Sequence, residues 1–128
     1  MGMYTELVLK AQVKDHLPED VEAVLQFLFN REDIPEHLPE HEFFQCPRWR
    51  FLGSSSSYNH VPFTSGCYAE GYIFSRSDLK NYNDEIGKFI SWLLPYLDVT
   101  EGDCIGWTWY EEERQPTLIT VPFYAGGL

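Results

Sequence analysis

Residues 4–13, Tyr4-Thr5-Glu6-Leu7-Val8-Leu9-Lys10-Ala11-Gln12-Val13, put Leu7, Leu9, Ala11 and Val13 at alternate positions. Successive side chains of a strand point to opposite faces, so the stretch predicts a strand with one face in a core and Glu6, Val8, Lys10 and Gln12 on the other. The next segment of chain supplies a cover for that strand. Pro18 suits a first helical residue, where no amide is missed, and Glu19, Asp20 and Glu22 suit the positive end of a helix. Val21, Val24, Leu25 and Leu28 then recur at helical spacing, predicting a helix over about 18–30.

Further along the chain, Ile86, Phe89, Ile90, Leu93 and Leu97 form an apolar stripe between Asn83 and Leu97, behind Asp84 and Glu85, and predict a second helix whose last turn Pro95 shortens. Trp49 to Leu52 reads as a short second strand, closed by Gly53 and the serine run. Cys67 to Ser75 reads as a third, with Tyr68, Glu70, Tyr72 and Phe74 on one face and the smaller Cys67, Ala69, Gly71 and Ile73 on the other. Cys104–Glu111 and Thr117–Phe123 read as a hairpin across Glu112 to Pro116. Between the first helix and the second strand, Pro35, Pro39 and Pro47 predict an irregular surface loop over 31–47. The resulting order, β-α-β-β-α-β-β, predicts a single α+β domain over 1–128. Its antiparallel or mixed sheet has two helices on one face, ferredoxin-like in its βαββαβ portion with an added strand.

The chain has 128 residues, 20 acidic and 9 basic, for a formal charge of -11. Its halves carry nearly equal shares of that charge. Nucleic-acid binders gain affinity from Lys and Arg displacing phosphate counterions, so direct nucleic-acid binding is not expected. A basic protein surface would instead be attracted. Cys46, Cys67 and Cys104 have no Cys-x-x-Cys spacing and an odd count, which predicts reduced thiols and a cytoplasmic protein. No signal-peptide order and no apolar run near 18 residues occur, so no membrane association is expected.

The chemistry-bearing motifs are weak. His37 and His41, beside Glu36, Glu40 and Glu42, have the spacing of a helical zinc pair, but Pro39 lies between them and the loop reads as solvated; no metal and no cofactor are expected. Cys67 with His60 is a candidate nucleophile pair, against which stands burial of Cys67 on the small-residue face. Ser77-Asp78-Leu79-Lys80 has Ser-x-x-Lys spacing without its companion motifs, and Asp78 reads instead as organising the entry to the second helix. Gly102 to Gly106 lacks the lysine and hydroxyl of a phosphate loop. The carboxylates Glu111, Glu112 and Glu113 read as a solvated strand end that discourages sheet association. No catalytic residue is assigned, and the balance falls against an enzyme without closing the question.

The aromatic residues say more. Tyr68, Tyr72 and Phe74 on one strand, Trp107 and Trp109 on another and Trp49 on a third suggest rings on a sheet face. RNA-recognition modules display rings in this way, but Glu70-Gly71-Tyr72-Ile73-Phe74-Ser75-Arg76 lacks their basic signature and the charge has the wrong sign. Core filling is the plainer reading of these rings. The functional reading makes Trp49, Tyr68, Tyr72, Phe74, Trp107 and Trp109 partner-binding anchors, with Glu111, Glu112 and Glu113 as an acidic rim.

Met3-Tyr4-Thr5-Glu6, Arg48-Trp49-Arg50-Phe51 with its serine run, Arg76 to Tyr82, and Tyr110-Glu111-Glu112 with Pro116-Thr117-Leu118 together resemble a group of small acidic proteins of bacteria and their phages. That group has no established activity, so the resemblance implies no site residue. It implies a gene carried on a mobile element, where small proteins often block host machinery. The expectation is a non-catalytic acidic binding protein, an inhibitor or accessory factor that engages a basic protein surface, such as that of a nucleic-acid-handling protein. Two alternatives stand beside it. One is a small ligand-binding or hydrolytic domain using the 53–66 loop, with Ser54 to Ser57, Tyr58, Asn59 and His60 near Arg48 or Arg50; the other is an immunity protein against a basic toxin. The hairpin edge also allows a homodimer.

Overall fold

The computed structural model describes residues 4–30, 32–53 and 65–121. Strand β1 (Thr5–Gln12) leads to helix α1 (Glu19–Asn30), and two short 3-10 turns follow at Glu42–Gln45 and Trp49–Phe51. Next come β2 (Ser65–Ala69), β3 (Tyr72–Leu79), α2 (Glu85–Leu93) with a 3-10 turn at Leu94–Tyr96, β4 (Cys104–Tyr110) and β5 (Thr117–Thr120). The five strands form one sheet in the order β2-β3-β1-β4-β5, and every neighbouring pair is antiparallel. Its first four strands in chain order follow the split βαβ arrangement, and β5 extends it beyond β4. The α+β class and the element order match expectation.

Two strands do not lie where the sequence suggests. Trp49 to Leu52 is not a strand but a 3-10 turn, with Trp49 buried among the rings of Phe27, Phe43 and Phe44. Cys67 to Ser75 is not one strand but two, reversed at Glu70 and Gly71, whose φ values of 53° and 75° are those of a tight hairpin turn. The reversal pairs Tyr68 with Ile73 and Cys67 with Phe74, so Tyr68 lies on the opposite face from Tyr72 and Phe74. Cys67, expected in the interior, is exposed.

The core lies between one sheet face and the helices. Leu7, Leu9, Ala11 and Val13 meet Val21, Val24, Leu25, Leu28 and Phe29 of α1 and Ile86, Phe89 and Leu93 of α2. Each such fully buried Leu, Val or Phe contributes about 1.5–3 kcal/mol. The loop after α1 is not wholly superficial either: Phe43 is completely buried against Phe89 and Trp92. Asn81 and Asp84 govern entry to α2, accepting the amides of Ile86 and Gly87. Asp78, expected in that role, instead engages Arg76 on the sheet.

Two features fix the sheet's edges and twist. Glu22, Gln26 and Asn30 lie at four-residue spacing on α1 and are linked by hydrogen bonds, while the Tyr68 hydroxyl donates to Glu22 at 2.6 Å. In β4 one residue is extra between Cys104 and Gly106 relative to β5, a β-bulge. Gly106 has φ +151° and passes so close to the Val8 carbonyl that no Cβ fits there.

Candidate functional site: the open sheet face

The sheet face away from the core carries, among the described residues, no helix. Register assigns its occupants. Arg76, Val8, Trp107 and Leu118 lie side by side across four strands, and Asp78, Glu6 and Trp109 form the next row. On the other flank, Phe74 stands between Cys67 and Lys10, and Tyr72 between Ala69 and Gln12. Tyr72, Phe74, Trp109 and Leu118 are 47%, 52%, 38% and 61% exposed, although rings usually gain most from burial.

Of the predicted anchors, the structure brings Tyr72, Phe74, Trp107 and Trp109 onto this face. It does not bring Trp49 or Tyr68 there; both are buried on the helix side, which corrects their reading as surface anchors. Glu111, Glu112 and Glu113 are exposed in the turn after β4, at the Trp109 end of the face. This turn folds back on the strand. The Trp109 indole N–H donates to the Glu113 carbonyl at 2.9 Å, and Glu113 and Glu111 carboxylates accept the backbone amides of Tyr110 and Tyr4.

Sequence reading missed the polar centre of the face. Arg76 donates through Nε to Glu6 at 2.6 Å and through Nη1 to Asp78 at 2.9 Å, with Asp78 only 5% exposed. Burial disfavours the guanidinium charge, but the hydrogen bond to Glu6 and the Asp78 charge outweigh it and raise the Arg76 pKa above its ordinary value. The two-residue spacing of Tyr72, Phe74, Arg76 and Asp78 along β3, which puts two rings and two charges on one face, was the available signal. Beside this trio, Tyr4, Glu6, Arg76, Asp78, Trp109 and Glu111 line an open cleft of about 250 Å³.

The remaining motifs supply no assembled chemistry among the described residues. His41 caps the 3-10 turn by accepting the Phe43 amide on Nδ1 at 3.1 Å. The Ser77 hydroxyl is wholly buried and accepts the Gly53 amide at 2.6 Å, while the Lys80 ammonium sits over the Tyr4 ring. Ser77 and Lys80 thus serve separate local structures. Cys46, buried 4.0 Å from Lys88 Nζ, has its thiol pKa raised by burial, with Lys88 opposing and Glu85, Glu42 and Asp84 adding to the rise. Residues 54–64, which hold His60 and most of the proposed 53–66 loop, lie outside the described residues. No described helix is long and apolar enough to cross a membrane. No protein-family model, curated protein or solved structure matches the chain.

Charge is distributed unevenly between the two layers. Between positions 19 and 42, along α1 and the start of the following loop, Glu19, Asp20, Glu22, Glu32, Asp33, Glu36, Glu40 and Glu42 stand against Arg31 alone, with Arg48 and Arg50 further on. The open face itself balances Glu6 and Asp78 against Arg76 and Lys10. The sheet face thus carries exposed rings with balanced charge, while α1 and the start of the following loop carry a concentration of acids, and the turn at Glu111 to Glu113 brings further carboxylates to the edge of the ring face.

Proposed function

We infer that the protein is a non-catalytic binding module whose open sheet face docks on a basic protein surface. The observation that carries this reading is the exposure of Tyr72, Phe74, Trp109 and Leu118 on one face. Rings at a protein surface are typical interface anchors, and several exposed apolar side chains on one face are otherwise a solubility liability. The formal charge of -11 supplies long-range attraction toward a basic partner, while the balanced charge of the face itself avoids a large desolvation cost on contact. The resemblance to small acidic phage and bacterial proteins extends the reading to an inhibitor or accessory factor acting in the cytoplasm. A target that normally holds nucleic acid would present the required basic surface.

Immobilised wild-type protein and a Phe74→Ala/Trp109→Ala variant, incubated with bacterial lysate across a salt series, test this reading. A protein retained by the wild type at low salt, released by salt and lost with the ring variant is expected. Equal retention by both proteins, or none by either at low salt, overturns it.

A further inference from the structure

Resting on this docking reading, we propose that the cleft at the Tyr4–Trp109 end of the open face receives an arginine side chain of the basic partner. Its open shape favours a partner's side chain over a metabolite, because small-molecule sites bury most of their ligand's surface and this shallow groove stays open to solvent. Its lining sets the sign of the guest. Glu6, Asp78 and Glu111 contribute three carboxylates against two cations, the Arg76 guanidinium that Glu6 and Asp78 already engage and the Lys80 ammonium over the lining Tyr4 ring, which leaves the cleft net negative by one. An anion entering there would meet uncompensated negative charge. Glu111 is exposed and its Oε1 accepts the Tyr4 amide at 3.2 Å; a carboxylate has capacity for further donors.

The rings select among cations. Trp109 is held by its indole N–H to the Glu113 carbonyl, so its orientation is fixed before a guest arrives. Tryptophan is the strongest of the cation-binding rings, and a planar guanidinium both stacks on a ring and forks onto a carboxylate, which an ammonium does not. The molecule already places a guanidinium over a ring internally, with Arg48 5.9 Å from the centre of the Phe51 ring. The arginine would thus lie beside Trp109 and reach Glu111, while the flanking apolar surface of the partner covers Leu118.

Titration of ¹⁵N-labelled protein with a capped tetra-arginine peptide at low salt, followed by NMR, tests the proposal. The Trp109 indole and Glu111 amide signals are expected to shift first and to saturate. A tetra-lysine peptide is expected to bind more weakly, and Glu111→Gln to weaken the arginine peptide by about three- to tenfold. Glu40→Gln, on the distant loop, is expected to change it by less than about twofold. First shifts in the acidic stretch at Glu32 and Asp33, or affinity indifferent to Glu111→Gln, overturn the cleft assignment and leave ring-face docking to be judged by the Phe74→Ala/Trp109→Ala experiment. A uridine octamer that shifts Tyr72 and Phe74 overturns both readings in favour of a nucleic-acid face. No shift with the arginine peptide overturns the cleft assignment alone.

Discussion

The Asn30 carboxamide pairs with both backbone polar groups of Tyr68, donating through Nδ2 to its carbonyl at 2.6 Å and accepting its amide on Oδ1 at 2.9 Å. A side chain at the end of α1 thereby does for the outer edge of β2 what a neighbouring strand would do. Unsatisfied partners left half-buried cost about 1–3 kcal/mol, so Asn30→Ala is expected to lower the unfolding free energy by that amount in urea denaturation. Faster hydrogen exchange at the Tyr68 amide should accompany the loss. Asn30→Asp, which lacks the donor, should not restore stability.

Gly53 and Ser77 form a second tie, between the 3-10 turn and β3. Ser77→Ala removes the acceptor of a buried amide and is expected to cost about 1–3 kcal/mol. Gly53→Ala meets two obstacles, a φ of +88° and a Leu28 carbonyl 2.6 Å from the added Cβ. Its thermal midpoint should therefore fall at least as far as that of Ser77→Ala in a differential scanning measurement.

Thiol reactivity should divide the cysteines two to one. Cys67 and Cys104 are exposed, whereas Cys46 is buried with its pKa raised, so it remains protonated near neutral pH. A chromogenic disulfide reagent is expected to label two thiols rapidly in the native protein and the third only on unfolding. Rapid release of three equivalents would contradict the burial of Cys46.

Alkaline stability should fall through Tyr68. Burial chiefly, and then its hydrogen bond to Glu22 and the nearby negative charge, raise the phenol pKa above its ordinary value of about 10. The native state keeps this proton after the unfolded chain has released it, so the stabilisation is complete below about pH 10 and declines as pH rises toward the folded value. Urea melts at pH 9 and 11 should show a drop that is smaller in Tyr68→Phe, once the variant's lower starting stability is subtracted.

Tyr72 and Phe74 should behave in the opposite manner. Both are about half exposed, so Tyr72→Ser and Phe74→Ser are expected to change stability by less than about 1 kcal/mol while weakening partner capture. Circular dichroism melts alongside the capture assay separate the two effects. A large loss of stability would recast these rings as structural.

The legible parts of the chain were those whose local pattern and tertiary burial agree. β1 alternates because Leu7, Leu9 and Ala11 line its core face, and α2 shows its stripe because Ile86, Phe89 and Leu93 all enter the core. Trp49 misled because ring-rich segments suggest strands, whereas here the indole fills a gap among Phe27, Phe43 and Phe44 that forms only when the loop folds back against α1. Glu70-Gly71 hid a hairpin, since glutamate is an unusual occupant of a turn position with φ of 53°, and overlooking it put Tyr68 on the wrong face. The Arg76 trio was only half legible, since β3 puts Arg76 and Asp78 on one face but does not name their partner Glu6. Glu6 and Arg76 are seventy positions apart, and only the pairing of β1 with β3 makes them neighbours.

The extra residue in β4 decides the sidedness of the indoles. Strict alternation from exposed Cys104 would carry Ile105 inward, Gly106 outward and Trp107 inward again. The bulge instead keeps Ile105 inside at 1% exposure and sets Gly106 opposite Leu9, which turns Trp107 and Trp109 away from the helices. One inserted amino acid thus separates a chain that hides two tryptophans from one that displays them, and a length change at this point would move both indoles to the helix side without altering a single ring.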